Sequence, residues 1–487
     1  MSSSPITYES VIGLEVHIQL NTCSKAFSSE ANVFELSPNL NISAVTLGLP
    51  GTLPRANKEH VEKSLHLALA LGCDIPQQTR FDRKNYFYPD LPKGYQITQD
   101  KNPIGKGGSW TFTTGDVERT IRIHHIHMEE DAGKSNHELS SVQSLIEYNR
   151  AGTPLVELVT EPDFRTGQEV YDFLTSLQQL VQYLGISDGN MEEGSIRCDC
   201  NVSIRPAGSP ILGERCEIKN VNSRRFAREA IAYEAKRQEE VLTAGSIIER
   251  TTLLFDSEKG TTHPMRKKEG ENDYRYFPEP DLSPIQIDDN WVQRIKAELS
   301  ILPSEAMAKL IGWGVPKEDA EKISSNKQWY LYFAELVQDH ALPATALSSM
   351  VVNKLLPYAE NQNMELSAVL SPIQIEEVIT LYNSGKVGKS DVFSVLLPAL
   401  MQSPQNNVEE LAQALNLVIS VEASDLLPLI EKVLMQNPDK VKEYQNGKKG
   451  LLGFFMGQVK QSAGLALDVG TLKSLLEEAL NKSPSKN

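Results

Sequence analysis

The sequence predicts an α+β fold, in which an N-terminal part with a mostly antiparallel sheet is followed by an all-helical C-terminal part. Up to about residue 290, short runs of alternating apolar and polar residues are mixed with helical runs and Gly/Pro loops. Beyond that point the apolar spacing is almost wholly helical, with a break at MQSPQNN, residues 401–407. We therefore predict an α+β domain over 1–292, a helical domain over 293–405 and a helical tail domain over 406–487.

Size and composition limit the class of protein. The chain has 487 residues, of which 40% are hydrophobic, so it can bury substantial cores. No basic segment followed by an apolar core opens the chain, and no run of 18 apolar residues occurs. The five cysteines form no Cys-x-x-Cys pair, which argues against a disulfide framework and a thiolate zinc site. We expect a cytoplasmic protein without a membrane segment.

Two helices are predicted by apolar spacing. The first ends at Gly185 as a C-terminal cap, and the second is a short amphipathic helix near the end of the chain. Their apolar positions are Val170, Phe173, Leu174, Leu177, Leu180, Val181 and Leu184 for the first, and Leu472, Leu475, Leu476, Ala479 and Leu480 for the second.

The stretch IGLEVHIQL, residues 12–20, alternates strictly between apolar and polar residues. This pattern is typical of a half-buried strand. Its polar face carries Glu15 and His17, which two-residue spacing places about 6.6 Å apart along the strand. The sequence therefore predicts a carboxylate and an imidazole side by side on one sheet face.

The stretch IHHIHMEEDAGKS, residues 123–135, repeats this arrangement, because His127 and Glu129 alternate with Ile126 and Met128. A third run, PLVELV at 154–159, places Glu157 among aliphatic residues and proline. A carboxylate buried there needs a partner, since isolated burial of a charge is too costly.

Carboxylates with an occasional imidazole and no thiolate suit Mg²⁺ or Mn²⁺ better than zinc. The same residues also fit the polar faces of an exposed sheet, with Glu157 paired to an arginine. The pattern alone leaves both interpretations open. The Gly-Lys-Ser at 133–135 resembles the end of a P-loop, but Met128 occupies the position of the required glycine, which excludes that motif.

Three further stretches are dense in charge. FDRKNYFYPDLPKGYQ, residues 81–96, interleaves cations with aromatic residues that either stack on bases or fix the loop to the core. IRCDCNVSIRP at 196–206 and RCEIKNVNS at 215–223 each carry cations and carboxylates on one strand face. They fit a nucleotide and metal site, or a ladder of cross-strand salt bridges.

The net charge of −16 is unusual for a nucleic-acid binder, but the end of the chain differs. From Lys440 onward, eight lysines stand against four acidic residues. The loop NGKKG, residues 446–450, precedes an apolar helix, whose first amides together with Lys448 and Lys449 could hold a phosphate. An ordinary helix start with solvated lysines explains the pattern equally well.

A set of motifs, in order over nearly the whole chain, resembles the GatB family, one of the subunits of aspartyl/glutamyl-tRNA amidotransferases. The motifs are VIGLEVH, LGLPGTLP, DRKNYFYPDLPKGYQI, HMEEDAGK, NRAGTPLVELV, MEEGSIRCD, EIKNVNS and DYRYFPEPDL. The resemblance implies an α+β cradle with a fold like that of glutamine synthetase and guanidino kinases, then a helical domain, then a helical tail that binds tRNA.

The resemblance also implies an activity. Family members use ATP and Mg²⁺ (or Mn²⁺) to phosphorylate the side-chain carboxylate of misacylated Glu-tRNA(Gln) or Asp-tRNA(Asn), and ammonia then displaces the phosphate. Ammonia comes from a separate amidase (glutaminase) subunit, and a small third subunit completes the heterotrimer. Two alternatives remain open: a tRNA-docking scaffold without chemistry, and a stand-alone kinase of a small carboxylate.

Residue roles carry over by position. The catalytic metal-site set corresponds to Glu15, His17, Glu129 and Glu157. Contacts to the nucleotide or acyl phosphate correspond to Lys84, Arg150, Arg197 and Lys219, and tRNA contacts to Lys448 and Lys449. Many family members have a structural zinc site of four cysteines, but the corresponding residues here are Ser28, Glu30, Ser43 and Thr46. We predict that this chain holds no structural zinc.

Overall fold

A computed structural model describes residues 6–33, 37–136, 142–267, 274–299, 301–340, 342–418, 423–463 and 469–482. The chain forms two compact units, Met1–Pro303 and Ser304–Asn487. The first is rich in strands and the second is helical, which confirms the α+β class. The division into domains at 292 and 405 stays a prediction. Asp273, the first residue of the DYRYFPEPDL motif, lies outside the described residues.

The first unit contains sixteen strands among its described residues. They are β1 (Tyr8–Gln19), β2 (Gln78–Thr79), β3 (Asp82–Asn85), β4 (Tyr95–Thr98), β5 (Gly105–Lys106), β6 (Ser109–Thr114), β7 (Val117–Glu130), β8 (Lys134–Asn136), β9 (Leu145–Glu147), β10 (Pro154–Thr160), β11 (Ile196–Pro206), β12 (Cys216–Val221), β13 (Thr251–Asp256), β14 (Thr261–Lys267), β15 (Phe277–Pro278) and β16 (Ile285–Gln286).

Nine of these strands form one sheet in the order β14-β13-β12-β11-β1-β10-β7-β5, with β6 also paired to β7. All pairs are antiparallel except β12 with β13, which are parallel. The long strand β1 lies at the centre, between β10 and β11. Each of the predicted stretches 12–20, 154–159 and 196–206 lies on or largely overlaps one strand of this sheet.

The strict alternation of β1 decides which face is buried. Val16 and Ile18 are fully buried, together with Ile126 of β7 and Leu158 of β10, and they belong to the core of the first unit. The opposite face carries the polar residues of the same strands. The hydrophobic effect therefore fixes the strand parity, because a shift by one residue would exchange the apolar and polar faces.

Four helices accompany the sheet: α1 (Lys58–Ala70), α2 (Gly167–Tyr183), α3 (Arg224–Thr243) and α4 (Asp289–Glu298). The helix predicted before Gly185 is α2, whose N-cap Thr166 accepts a hydrogen bond from the backbone of Glu169. Gly185 itself has φ +66°, the left-handed conformation expected of a C-terminal glycine.

The described residues of the second unit form helices joined by loops, with an isolated β-bridge between Val387 and Val418. Its helices are α5 (Pro303–Gly312), α6 (Lys317–Ser324), α7 (Lys327–Gln338), α8 (Ala344–Met350), α9 (Leu356–Gln362), α10 (Leu366–Val369), α11 (Pro372–Asn383), α12 (Lys389–Asp391), α13 (Leu397–Gln402), α14 (Val408–Ala414), α15 (Ala423–Gln436), α16 (Pro438–Gln445), α17 (Leu452–Ala463) and α18 (Val469–Lys482). The predicted final helix is α18, which buries Leu472, Leu476 and Leu480 against α15 and α17. No helix of the described ranges has the length and apolar character needed to span a membrane.

Candidate active site

A row of four side chains crosses the polar face of the sheet. His17 of β1 stands opposite Glu157 of β10 on one side and Arg197 of β11 on the other. Glu157 in turn stands opposite His127 of β7. Directly opposed residues of antiparallel strands lie on the same face, so the register alone brings these four together.

Three of the predicted metal-site residues form one group. Donor atoms of His17, Glu129 and Glu157 all lie within 4.8 Å of one another. Nδ1 of His17 is 3.1 Å from Oε1 of Glu129 and 3.5 Å from Oε2 of Glu157. His127 joins them, with Nε2 3.1 Å from Oε2 of Glu157 and 3.7 Å from Oε2 of Glu129. The partners of Glu157 are thus histidines rather than the arginine considered above.

Glu15 belongs to a second group. It stands opposite Asp199 in the β1–β11 register, and donor atoms of Glu15, Asp199 and Glu217 lie within 4.8 Å of one another. Lys219 Nζ lies 2.6 Å from Oδ2 of Asp199 and 3.5 Å from Oε1 of Glu217. A lysine cation therefore balances the carboxylates of this group, whereas histidines balance those of the first.

Opposite charges in the first group strongly shift the pKa values of its members. Burial opposes the charge on His17, but Glu157 and Glu129 outweigh it and raise the pKa of His17 to about 9. Burial is likewise outweighed at His127, where Glu157 and Glu129 raise the pKa to about 10. Burial would raise the pKa of Glu157, yet the two histidines lower it to about 2. Burial would also raise the pKa of Glu129, but His127 and His17 hold it well below its ordinary value, so both carboxylates are ionised at neutral pH.

The donor set fits a hard divalent ion. Two ionised carboxylates and one imidazole converge on one point, and oxygen-rich sets of this kind suit Mg²⁺ or Mn²⁺. A protonated His17 cannot act as a ligand, so binding an ion there would release its proton. His127 contacts Glu157 from the far side, and a hydrogen bond of this kind orients a metal-ligating carboxylate.

A chain of histidines leads from the surface to this group. His125 Nε2 is 3.1 Å from His127 Nδ1, and the two rings are stacked with centroids 5.1 Å apart. The exposed His124 follows, with its Nδ1 2.7 Å from Nδ1 of His125. Opposite these residues the β7–β10 register shifts between Val159 and Thr160, and such a bulge redirects side chains.

The four cationic side chains that were predicted to contact the nucleotide or acyl phosphate lie in three different places. Arg197 donates to Oδ2 of Asp131 at 2.8 Å, and Arg150 Nε lies 3.5 Å from the same atom, so these two share one buried carboxylate. Lys219 belongs to the Glu15 group. Lys84 of β3 lies near the first group, where Tyr276, Glu129 and Glu157 outweigh burial and raise its pKa.

The two predicted tRNA lysines lie in the second unit. Lys449 begins a short 3₁₀ turn, Lys449–Leu451, directly before α17, and Nζ of Lys449 is 4.1 Å from the Tyr444 ring centroid. Lys448 Nζ lies 3.1 Å from Oε2 of Glu443. Both interpretations of this loop, a phosphate site and an ordinary helix start, remain compatible with these contacts.

Several residues of the site were not among the predicted set. Strand parity placed His127 on the same face as Glu129, but the residues carried over from the family resemblance did not include it. Asp131 follows the end of β7, and no periodicity marks it. Asp199 and Glu217 lie in stretches whose charged face fitted a salt-bridge ladder equally well, and only the pairing of β11 with β1 brings Asp199 to Glu15.

The residues at the four positions that correspond to the family's zinc cysteines, Ser28, Glu30, Ser43 and Thr46, also lie close together. Thr46 Oγ1 donates to Oε1 of Glu30 at 2.9 Å. Although burial raises the pKa of Glu30, hydrogen bonds from Ser28, Ser43 and Thr46 hold it below its ordinary value. The hydrogen bond between Glu30 and Thr46 thus joins the two loops, and the absence of structural zinc stays a prediction.

The fold and site define a class of protein: an α+β unit that gathers carboxylates, histidines and cations on one sheet face, followed by a helical unit. Comparison with known proteins identifies the family. The family model described as "GatB/GatE catalytic domain" matches residues 10–293, and the one described as "GatB domain" matches residues 331–480. The chain belongs to this family.

Curated relatives resemble the chain over its full length. Each of the following is named as the B-type subunit of aspartyl/glutamyl-tRNA(Asn/Gln) amidotransferase. The protein of Shouchella clausii is 41% identical over 97% of this chain and 99% of its own length. That of Geobacillus thermodenitrificans is 40% identical over 98% and 100%, and that of Thermodesulfovibrio yellowstonii 41% identical over 93% and 95%.

Proposed function

We propose that the first unit of this GatB-type subunit of a tRNA-dependent amidotransferase carries out both chemical steps of the reaction. ATP phosphorylates the side-chain carboxylate of misacylated Glu-tRNA(Gln) or Asp-tRNA(Asn), and ammonia converts the acyl phosphate into the amide. The observation that carries this proposal is the convergence of His17, Glu129 and Glu157 on one sheet face, where Arg197 and His127 stand at the two ends of the row through His17 and Glu157.

The chemistry explains why such a site is needed. A carboxylate is a poor electrophile, because attack by ammonia would have to expel an oxide-like group. Transfer of the γ-phosphoryl group forms a carboxyl–phosphate bond and releases ADP. Ammonia then adds to the carbonyl carbon, the carbon–oxygen bond to phosphate breaks, and one ammonia proton leaves with the phosphate as hydrogen phosphate.

The charged groups have separate roles in this proposal. His17, Glu129 and Glu157 would hold Mg²⁺ or Mn²⁺, which when bound would neutralise the phosphate oxygens during transfer. Lys84, next to Glu129 and Glu157, keeps its charge and can contact the transferred phosphate. Arg150 and Arg197 orient the substrate carboxylate from the Asp131 side. Glu15 and Lys219 lie one row away, where they can contact the nucleotide.

The wider assembly belongs to the same proposal. Ammonia would come from a separate amidase (glutaminase) subunit, and a small third subunit would complete the heterotrimer. The first unit would be a cradle of the glutamine synthetase and guanidino kinase type, supported by its largely antiparallel nine-stranded sheet. Five free cysteines, four of them buried, support a reducing cytoplasmic location.

ATP hydrolysis that depends on misacylated tRNA tests the proposal. The reconstituted complex, supplied with ATP, Mg²⁺ and no ammonia source, should hydrolyse ATP with Glu-tRNA(Gln) or Asp-tRNA(Asn) but not with the uncharged tRNA. A complex that binds misacylated tRNA without turning over ATP would instead favour the tRNA-docking scaffold. Phosphorylation of free glutamate or aspartate at a similar rate would favour the small-carboxylate kinase.

A further inference from the structure

Tyrosine rings surround the side chain of Lys84, the β3 cation that lies near the first group. Nζ of Lys84 is 4.9 Å from the ring centroid of Tyr274 and 5.9 Å from that of Tyr86. The rings of Tyr86 and Tyr274 are 6.1 Å apart and nearly perpendicular, and the ring of Tyr276 lies 6.2 Å from that of Tyr274. The distances from Nζ are within the range of cation–π contacts.

The ammonium group of Lys84 keeps its hydrogen-bonding capacity. Within the described ranges of the chain, its Nζ makes no hydrogen bond and no ion pair. The preceding residue differs, because Nε of Arg83 lies 2.6 Å from Oε2 of Glu279. A lysine ammonium has three N–H donors, and a ring face attracts its charge without offering a carboxylate or carbonyl oxygen. Donors that point away from the rings are therefore available to a bound anion.

The small sheet β15-β3-β4 places this cation at the candidate active site. Lys84 stands opposite Gln96 of β4, and Nε2 of Gln96 donates to the backbone oxygen of Glu130 at 2.7 Å. Two residues further along β4, Oγ1 of Thr98 donates to Oε2 of Glu129 at 3.4 Å. Strand β4 is thus fixed to the end of β7, and its neighbour β3 carries Lys84 to the first group.

The part of the DYRYFPEPDL motif that begins at Tyr274 is fixed to the same small sheet. Nδ2 of Asn85 donates to the backbone oxygen of Arg275 at 2.8 Å, and β15 pairs with β3. Arg275 has φ +43°, a left-handed conformation that is unfavourable for residues other than glycine. Strain of this kind persists where the surrounding contacts over-determine it, and it is concentrated at functional sites. The motif therefore holds its first tyrosine in a defined place beside Lys84.

We propose that Tyr274 is a positioning residue for the reaction, whose ring face, together with that of Tyr86, holds the ammonium group of Lys84 towards the transferred phosphate. The inference rests on the proposed function, which gives the phosphate contact to Lys84. A lysine side chain is flexible and loses much conformational freedom when it is ordered. Rings that order it before transfer reduce this loss in the transition state, so they should act on kcat rather than on KM.

Substitutions that remove or keep the ring of Tyr274 test this role. In the reconstituted complex with ATP, Mg²⁺ and ammonium chloride, Tyr274→Leu should lower kcat for Gln-tRNA formation about 30-fold and leave KM for Glu-tRNA(Gln) and ATP unchanged. Tyr274→Phe should retain most of the wild-type rate. Equal losses in Tyr274→Leu and Tyr274→Phe would mean that the hydroxyl group acts rather than the ring, and would overturn the inference.

Tyr233→Leu is the matched control for these variants. Tyr233 is 36% exposed and lies on α3, whose apolar residues pack in the core on the opposite face of the sheet. The control should keep the wild-type kcat. A loss in Tyr233→Leu as large as that in Tyr274→Leu would mean that loss of any surface tyrosine impairs the complex, and would overturn the specific role of Tyr274.

A fluorinated series separates attraction by the ring face from packing, even if Tyr274→Leu does not fold. Tyr274→Phe is compared with the same variant carrying one, two or three ring fluorines, which withdraw electrons from the ring face and change its shape little. The kcat should fall with each fluorine, about tenfold in total. Equal rates across the series, with an active wild-type complex, overturn this inference alone. A wild-type complex that forms no Gln-tRNA overturns the proposed function as well.

A double substitution shows whether the effect of Tyr274 passes through Lys84. Lys84→Met keeps a side chain of similar length and removes the charge. Adding Tyr274→Leu to Lys84→Met should cause no further loss of kcat, because the ring then has no cation to hold. Losses that multiply in the double variant would mean that Tyr274 acts independently of Lys84, and would contradict the positioning role.

Discussion

Nδ1 of His17 lies 3.1 Å from Oε1 of Glu129, although 112 positions separate the two residues in the sequence. Strand β10 lies between their strands and contributes Glu157, so three strands supply one donor each. The two ionised carboxylates repel each other in a buried place, and the neighbouring histidines offset that repulsion. The site therefore depends on a local balance between two carboxylates and two histidines.

His125 should influence the reaction through His127 rather than by touching substrate. Burial and the neighbouring His127 lower the pKa of His125 to about 4, so its neutral ring can accept a hydrogen bond from His127 and fix that ring against Glu157. We expect His125→Ala to lower kcat for amidation about tenfold, with an unchanged KM for tRNA.

His125→Gln should restore most of that loss, because its amide oxygen can accept the same hydrogen bond. His124→Ala is the control, since the exposed His124 makes no contact of its own with His127 among the hydrogen bonds described. Full activity of His125→Ala would show that His127 needs no such support.

His60 should make the first unit less stable in mild acid. It is buried in α1, where burial lowers its pKa to about 4 from an ordinary value of 6.5. Between pH 6.5 and pH 4, His60 binds a proton in the unfolded chain but stays neutral in the folded chain. The contribution of the neutral His60 to the free energy of unfolding is therefore fully present above pH 6.5 and is lost as the pH falls towards 4. From pH 7.5 to pH 5 the loss should reach about 2 kcal/mol.

Denaturant unfolding of the wild type and of His60→Gln at both pH values measures this effect. Glutamine can keep the hydrogen bond that Nε2 of His60 makes with the carbonyl oxygen of Leu155. The difference between the two proteins cancels the titration of the other groups. Equal losses of stability in both would mean that His60 takes up its proton in the folded state.

The serine, threonine and glutamate positions that replace the family's zinc cysteines should not retain zinc. Hydroxyls are poor zinc ligands, and Glu30 is already held by Thr46 at 2.9 Å. Elemental analysis of the chain produced in zinc-supplemented medium should find no stoichiometric zinc. The fourfold variant Ser28→Cys, Glu30→Cys, Ser43→Cys and Thr46→Cys should acquire one zinc ion, since these side chains already converge. Zinc in the wild-type chain would refute the prediction.

The lysines before α17 should contribute to tRNA affinity and not to the chemical step. Lys448 is 71% exposed and Lys449 stacks on Tyr444, so both can reach a phosphate. Each change to alanine should weaken tRNA binding and reduce the dependence of log affinity on log salt concentration by about 1. Lys317→Ala, at another exposed lysine of the second unit, is the control. An unchanged salt dependence in the Lys448 and Lys449 variants would assign the tRNA contact elsewhere.

Strand parity predicted the polar faces of β1 and of the end of β7, because alternation within one strand is a local property, whereas Glu157 of β10 was identified as a single carboxylate among aliphatic residues. Strand parity could not predict which strands are neighbours, and that information decides the site. Glu15 and His17 share a face, yet Glu15 stands opposite Asp199 while His17 stands opposite Glu157, so they join different groups. Asp131 was missed because its role depends on Arg197, which lies 66 positions away.

Amide formation on Glu-tRNA(Gln) tests the proposed metal site. The reconstituted complex is supplied with ATP, Mg²⁺ and ammonium chloride, which bypasses the glutaminase. Glu129→Gln keeps the shape of the side chain and removes its charge, and Glu118→Gln, on the exposed end of the same strand, is the control. We predict a loss of about 100-fold or more in kcat for Glu129→Gln, with tRNA affinity retained and the control fully active. Wild-type rates for Glu129→Gln would contradict it, and the carboxylates of β7 and β10 would then be only a charged sheet face.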